Sequence, residues 1–315
     1  MKFFRSLSWG MQLLVLFLLF TILFYGAVVL MSALLPSLTG YKIEAIQNID
    51  QNSPAGLVNA SIIVQGVLSI FIFLVCGLVF AVLFSAKPLQ YLGLQLPKNK
   101  INILLSIMLM LGAMPALQLI EGLFSTINFG TYFQNMQQSG DDMRNAFLKI
   151  PTLADFIKIF FIMAIIPGIG EEVFFRGILF KMAASKSSNK TIPILFSAIV
   201  FSLMHFNIYG FVSIFIAGIL LALIYTLTGS LWCSILAHIS FNGLQIVLTY
   251  VGKDNVAIKS FLNDTSVMHL LPYAFAGIAL FLVSLYFLLK YKSLLDNWGR
   301  AYKKDIVFSF DKVEE

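Results

Sequence analysis

Long runs without a charged residue dominate this chain and restrict what it can fold into. Residues 191–252 contain no Asp, Glu, Lys or Arg, and neither do residues 6–41, 51–86, 101–120 and 265–289. A helix needs about 20 apolar residues to cross the hydrocarbon core of a bilayer. Hydrophobic residues make up 59% of the 315 positions and charged residues only 11%, against roughly 25% in soluble domains. This composition excludes a soluble globular domain and a disordered chain.

Short polar or glycine-containing breaks divide these runs into about eight predicted membrane-spanning helices. The fourth helix is apolar except for Glu171, Glu172 and Arg176, and the longest run divides at 207–210 and 228–230. The predicted spans are 11–35, 61–86, 101–120, 156–180, 192–206, 211–228, 231–251 and 269–289. We therefore expect an all-α, polytopic helical bundle that is integral to a membrane, the cell membrane if the source is bacterial.

Cationic residues predict the orientation of the bundle, because cytoplasmic loops of membrane proteins carry an excess of Lys and Arg. With a cytoplasmic N-terminus, most of the 21 Lys and Arg residues fall in cytoplasmic segments. The exceptions are Lys42, Arg144, Lys149, Lys158, Lys253 and Lys259. We expect both termini to be cytoplasmic, and the polar loops 121–158 and 252–268 to be external. The net charge of +6 then reflects cytoplasmic loops and lipid head groups rather than nucleic-acid binding.

The predicted spans group into three regions. Residues 1–154 hold three spans and an external loop, residues 155–251 hold four spans with all the motifs described below, and residues 252–315 hold the last span and a cytoplasmic tail. Cys76 and Cys233 lie inside apolar runs, so we expect no disulfide framework.

Two adjacent carboxylates lie where a charge is costly. At the bilayer centre a charge costs at least ~2.5–3.5 kcal/mol, so such residues face a cavity or the bundle interior and by default mark function. Glu172 and Arg176 are four residues apart and can pair on one helical face, which leaves Glu171, rotated by about 100°, without a local partner. An ion pair that only holds helices together would leave Glu171 unexplained. Residues 167–170 (Pro-Gly-Ile-Gly) predict a broken helix, which is tolerated where it lines a cavity.

Further polar side chains are predicted at a similar depth. His205 ends the fifth span, and His238 and Asn242 share one face of the seventh because they are four residues apart. At ~1.5 Å per residue, these groups and Glu171 lie deep enough to meet. For a single histidine, a hydrogen bond that holds two helices together explains as much. For a Glu pair, two His and an Asn on three spans, a shared site is the better explanation.

The motifs Glu171–Glu172–x–x–x–Arg176, Phe201–x–x–x–His205 and His238–x–x–x–Asn242 occur in this order. Together they resemble the CAAX protease and bacteriocin-processing family over about residues 155–251. The resemblance implies an intramembrane endopeptidase in which Glu171 and His205 activate water, while His238 and Asn242 stabilise the oxyanion. Glu172, Arg176 and Phe201 would support the site. The implied partners are membrane lipid and a peptide or protein substrate, lipidated or not, reached through a cavity open to the cytoplasm.

Members of this family are often called metalloproteases, and the resemblance leaves the metal open. If His205 and His238 bound zinc, a third ligand would be needed, most plausibly Glu171 or Asn242. We favour the metal-free form because no two histidines share a helix. The H-E-x-x-H helix of zinc proteases is absent from the sequence.

Other classes of function remain open at the level of sequence. A membrane binding or bacteriocin-immunity scaffold would use the same pocket without cleavage. A transporter or proton relay would also suit a Glu pair and histidines, although the paired broken helices typical of many transporters are not visible.

Overall fold

The structure, a computed structural model, describes residues 2–187, 189–255, 258 and 267–291. All regular secondary structure in these residues is helical, as predicted. The longer helices, numbered in chain order, are α1 (Trp9–Thr39), α2 (Ala55–Phe84), α3 (Ile101–Phe124), α4 (Thr131–Phe147), α5 (Leu153–Lys186), α6 (Thr191–Leu203), α7 (Phe211–Thr228), α8 (Leu231–Gly252) and α9 (Val267–Lys290). Short helical segments lie at Lys2–Arg5, Ile43–Asn48 and Pro88–Leu92.

Seven of these described helices are long and apolar enough to cross a membrane, namely α1, α2, α3, α5, α7, α8 and α9. The fifth predicted span, 192–206, corresponds to α6, which has only 13 residues and a length of ~20 Å, against ~30 Å for the hydrocarbon core. The prediction of a multi-pass integral membrane protein is therefore confirmed. The orientation stays a prediction, and the predicted cytoplasmic tail lies outside the described residues.

The predicted external loop 121–158 contains a helix that the sequence reading missed. Helix α4 is polar overall, but Phe133, Met136, Gly140 and Met143 recur at helical spacing along it. Its last two residues, Ala146 and Phe147, are buried, which ties the end of the helix to the bundle. An amphipathic helix needs only such an apolar stripe on one face. The polar composition of residues 121–158 therefore did not exclude a helix there.

Helix α5 carries the Glu pair and is continuous, so the predicted break at 167–170 is wrong. Proline lacks the backbone N–H that an α-helix needs from it, and the stretch Phe161–Ile165, just before Pro167, is π-helical. A second π-helical stretch, Val173–Leu179, follows the two glutamates. Such local widening of a helix is frequent at functional sites. Here it accommodates Pro167 without interrupting the helix.

Close packing around α5 brings the motif-bearing helices together. A methyl group added at Gly168 would lie 2.5 Å from Cγ1 of Ile239 on α8, so only glycine allows these helices to approach so closely. Helices α6 and α7 pack along each other, and α3 packs against α7, α8 and α9. The cluster behind the Glu pair includes Phe73, Phe175, Phe201 and Ile235. These contacts fix helices from distant parts of the chain around one point.

The bundle has two distinct ends. At one end, Nε1 of Trp9 donates a hydrogen bond to the carbonyl of Met182 at 2.9 Å, which places the start of α1 beside the end of α5. At the other end lie α4, the end of α3 and the turn 204–210 between α6 and α7. We call this second end the α4 end.

Candidate active site

Glu172 is the centre of a buried hydrogen-bonded group that joins α5 to α8. Its Oε1 accepts a hydrogen bond from Nη1 of Arg176 at 2.6 Å, and both side chains are fully buried. The same Oε1 lies 3.0 Å from Nδ1 of His238, which is 4% exposed. The spacing of four residues thus produces the predicted Glu172–Arg176 pair, and the structure adds His238 as a third member.

Arg176 has partners on two further helices. Its Nη2 donates to the backbone carbonyl of Gly218 on α7 at 2.9 Å. Its guanidinium carbon lies 4.7 Å from the centre of the Phe201 ring on α6, which is a cation–π contact. A buried charge is tolerated only when such partners replace its lost hydration. Arg176 therefore holds α5, α6 and α7 together behind the Glu pair.

Glu171 has a different environment from its neighbour. Oε2 of Glu172 is buried without a hydrogen bond within the described residues, and so is Oε2 of Glu171. The same oxygen is 3.9 Å from Nε2 of His238. A buried acceptor without a donor is unusual in folded proteins and calls for an explanation. The absence of a local partner, predicted from the spacing, leaves this oxygen available to a proton.

His205 lies in the turn just beyond α6 rather than inside a span. Its Nδ1 is 2.8 Å from the backbone carbonyl oxygen of Phe201. Because a carbonyl oxygen can only accept, we assign the proton to Nδ1, which leaves Nε2 of the neutral ring with a free lone pair. The ring centre is 4.6 Å from that of Phe201. Phe201 thus positions both His205 and Arg176.

A cavity of about 210 Å³ brings these side chains together. All four residues predicted to be catalytic, Glu171, His205, His238 and Asn242, line its wall. No hydrogen bond within the described residues occupies the amide of Asn242. We call this space the site cavity. It combines possible proton acceptors on one side with possible hydrogen-bond donors on α8.

Helix α3 contributes two polar residues to the site cavity that the motifs did not include. Gln118 and Glu121 line it beside the predicted residues. The signal in the sequence was slight, since Glu121 merely follows a charge-free run. Only the packing of α3 against α7 and α8 shows that these side chains reach the site.

The resting side chains do not form a metal centre. Within the part of the chain that the structure describes, no group of three His, Cys, Asp or Glu side chains lies close enough to hold a metal ion. His205 and His238 lie on different helices and donate or accept through Nδ1 to separate partners.

The site cavity extends toward the α4 end. His205 lines both this cavity and a second one bounded by α4, and Glu121 interacts electrostatically with Arg144 and Asp141 of α4. The predicted cytoplasmic opening and the predicted external position of 121–158 therefore exclude each other. The orientation of the bundle in the membrane decides which of the two predictions holds.

Comparison with known proteins identifies one family. Residues 153–244 match the family described as type II CAAX prenyl endopeptidase Rce1-like. The matched range contains Glu171, His205, His238 and Asn242, so the resemblance of the three motifs to CAAX proteases is confirmed over this range. Neither the curated proteins nor the solved structures contain a match. Helices α1 to α4 and α9 lie outside the matched range.

Proposed function

We propose that this protein is an intramembrane endopeptidase that uses water to hydrolyse a peptide bond in a membrane-associated peptide or protein. One observation carries the proposal: Oε2 of Glu171, which accepts no hydrogen bond within the described residues, shares one cavity with the side chains of His205, His238 and Asn242. Amide hydrolysis needs such acceptors for the protons of water and donors for the developing oxyanion. The family match supports the same reaction.

Water activation is the role of Glu171 and His205. In the proposed step, Glu171 accepts a proton as the water oxygen bonds to the scissile carbonyl carbon. Nε2 of His205 accepts a hydrogen bond from the second water hydrogen and orients the attack. When the carbon–nitrogen bond breaks, the proton on Glu171 passes to the leaving nitrogen. One water is consumed, and a carboxylic acid and an amine are released; the acid then gives its remaining proton to solvent.

Oxyanion stabilisation falls to Asn242 and His238, but His238 is constrained by its partner. Its Nδ1 donates to Glu172, which Arg176 holds as a carboxylate. A neutral His238 would therefore present a lone pair, not a proton, at Nε2. For Nε2 to donate to the oxyanion, both ring nitrogens of His238 must carry a proton, and Glu172 at 3.0 Å and Glu171 at 3.9 Å face that ring.

The test of the function uses purified protein in nanodiscs and a fluorescent peptide that ends in a farnesylated cysteine and three further residues. A second copy of the peptide without the farnesyl group asks whether the lipid is needed. The variants are Glu171→Gln and, as a matched control, Glu44→Gln, which changes an exposed glutamate outside the spans. Cleavage by the wild type and the control, with loss in Glu171→Gln, supports the proposal.

A cellular comparison covers substrates that the peptide does not represent. Protein fragments from the membranes of wild-type cells and of a Glu171→Ala strain would be compared by mass spectrometry. Fragments that disappear in the variant identify substrates of a peptidase. Unchanged fragments, with the biological phenotype retained, would indicate a binding scaffold instead.

A further inference from the structure

A second cavity adjoins the site cavity at the α4 end and has no role in the proposed chemistry. It has a volume of about 310 Å³ and is bounded by one face of α4 and by residues 205–209. His205 lines both cavities. We call the second cavity the vestibule. Helix α4 lies outside the family match at 153–244, so the resemblance assigns no function to this wall.

The walls of the vestibule carry amide groups and a neutralised ion pair. Nε2 of Gln137 donates to Oδ2 of Asp141 at 3.2 Å, and Nη2 of Arg144 donates to Oδ1 of the same aspartate at 2.9 Å. On the opposite wall, Oδ1 of Asn207 accepts from the backbone N–H of Gly210. Because the two charged side chains compensate each other, the vestibule suits an uncharged ligand with peptide-like donors and acceptors better than a polyanion or polycation.

The backbone of Phe206 gives an independent reason to assign a ligand to the vestibule. Phe206 has a positive φ of 50° and a side chain that is 72% exposed. A bulky residue is unusual in this backbone region, where Gly or Asn is preferred. Packing inside the bundle does not explain the phenylalanine, because its ring is mostly exposed. A strained residue next to an active-site histidine indicates a functional constraint, and this ring lines the vestibule.

We propose that the vestibule binds the extramembrane segment of the peptide substrate, next to the scissile bond. The ring of Phe206 contacts an apolar side chain of this uncharged segment, and the amides of Gln137 and Asn207 hydrogen-bond to its backbone. The inference rests on the proposed peptidase function. In this proposal, α4 selects which substrate sequences reach the site cavity. The family match does not cover α4.

Two neighbouring glutamines on α4 provide a matched test. Gln137 bonds to Asp141 and lines the vestibule, whereas Gln138 makes the same contact with Asp142 at 3.1 Å and lines neither cavity. The photoreactive residue p-benzoylphenylalanine would replace Gln137 in one protein and Gln138 in a second. Both proteins carry Glu171→Gln and are held in nanodiscs. The probe is the farnesylated fluorescent peptide, and the measurement is covalent capture of its fluorescence after illumination. We expect capture from position 137 at least tenfold above capture from position 138.

Parallel cleavage of the same peptide by the wild type separates the two proposals. Cleavage without preferential capture at 137 overturns the vestibule and leaves the peptidase standing. Preferential capture without cleavage overturns the peptidase function for this peptide and leaves the vestibule as its binding surface. If neither occurs, both proposals are wrong for this class of substrate. Capture of lipid instead of peptide at 137 also overturns the vestibule.

Substitution of Phe206 tests the binding role against a merely structural one. Phe206→Gly and Phe206→Asn both relieve the backbone while they remove the ring, so the melting temperature should stay the same or rise. We expect KM for the farnesylated peptide to rise about tenfold with kcat nearly unchanged. This is the result expected when a contact made equally in the bound substrate and in the transition state is lost. A variant that melts at or above the wild-type temperature with an unchanged KM would overturn the contact.

Discussion

Glu172 receives hydrogen bonds from two side chains, and this ties the stability of the bundle to the chemistry of the site. Arg176 and His238 share its Oε1. Loss of the carboxylate would strand a buried guanidinium and also release the ring of His238. Oε2 of Glu171, one residue earlier, accepts no hydrogen bond within the described residues and lies 3.9 Å from Nε2 of His238, so adjacent glutamates are expected to respond differently to the same substitution.

The first prediction compares these two glutamates. Glu171→Gln should keep a near-normal melting curve and lower kcat by at least ~10²-fold, the low end for loss of a general base. Glu172→Gln should lower both stability and kcat, because it leaves Arg176 buried without its counter-charge, at a cost of about 3–5 kcal/mol. Melting curves and kinetics in nanodiscs measure both. Full activity in Glu171→Gln would remove it as the base, and a stable, fully active Glu172→Gln would contradict its positioning role.

A second prediction concerns the pairing itself. Arg176→Gln should destabilise the protein as Glu172→Gln does, since each leaves a buried partner uncompensated. The double variant should be less harmful than the sum of the two, because the groups interact directly. A double-mutant cycle on the midpoints of thermal unfolding measures the coupling. If the losses of stability in the two single variants simply add in the double variant, the 2.6 Å contact between Glu172 and Arg176 contributes no coupling free energy to folding.

Sequence spacing predicted some of these contacts and could not predict others. Glu172 and Arg176 are four residues apart, so helix geometry alone places them together. The bond between Glu172 and His238 joins residues 66 positions apart, and no local rule reaches that far. The proton on Nδ1 of His205 depends on a particular carbonyl oxygen, so it could be assigned only from coordinates.

At the scale of helices, close approach matters more than composition. Helices α5 and α8 touch at Gly168 and Ile239, and this contact sets the distance between the carboxylates and His238. Charge-free runs predicted α7 and α8 almost to the residue. They missed α4, whose apolar stripe is narrow. The proline and glycines at 167–170 wrongly predicted a break, because the adjustment to Pro167 occurs in the preceding π-helical turn.

The third prediction uses this contact. A methyl group at Gly168 would meet both Cγ1 of Ile239 at 2.5 Å and its backbone nitrogen at 3.2 Å. Gly168→Ala should therefore push α8 away and cost about 1–3 kcal/mol, with a loss of kcat. The control is Gly26→Ala on α1, where nothing lies within 4 Å. Equal melting temperatures and rates for the two variants would show that the helices do not need this approach.

For the whole molecule, the orientation decides which compartment supplies the substrate. The cationic bias predicts that the start of α1 and the residues between α2 and α3 lie in the cytoplasm. The vestibule would then face the external side, because it lies at the α4 end. Fold class and membrane location follow from hydrophobicity, whereas sidedness depends on a few charges and on the membrane itself.

The fourth prediction tests the sidedness with a membrane-impermeant thiol reagent on intact cells. In a background lacking Cys76 and Cys233, a cysteine at Gln138 should react without permeabilisation. A cysteine at Lys98, exposed between α2 and α3, should react only after the membrane is opened. The reverse pattern would invert the bundle and place the vestibule in the cytoplasm.

The shortness of α6 has a consequence for the lipid around the protein. A helix of 13 residues falls ~10 Å short of the hydrocarbon thickness, and polar residues at 205 and 207 follow it at once. A bilayer meets such a mismatch by thinning locally. The head groups should sink at this flank of the bundle and carry bulk solvent down to the level of the glutamates. Water would thus reach the buried carboxylate of Glu171 through the locally thinned membrane, without a channel through the fold.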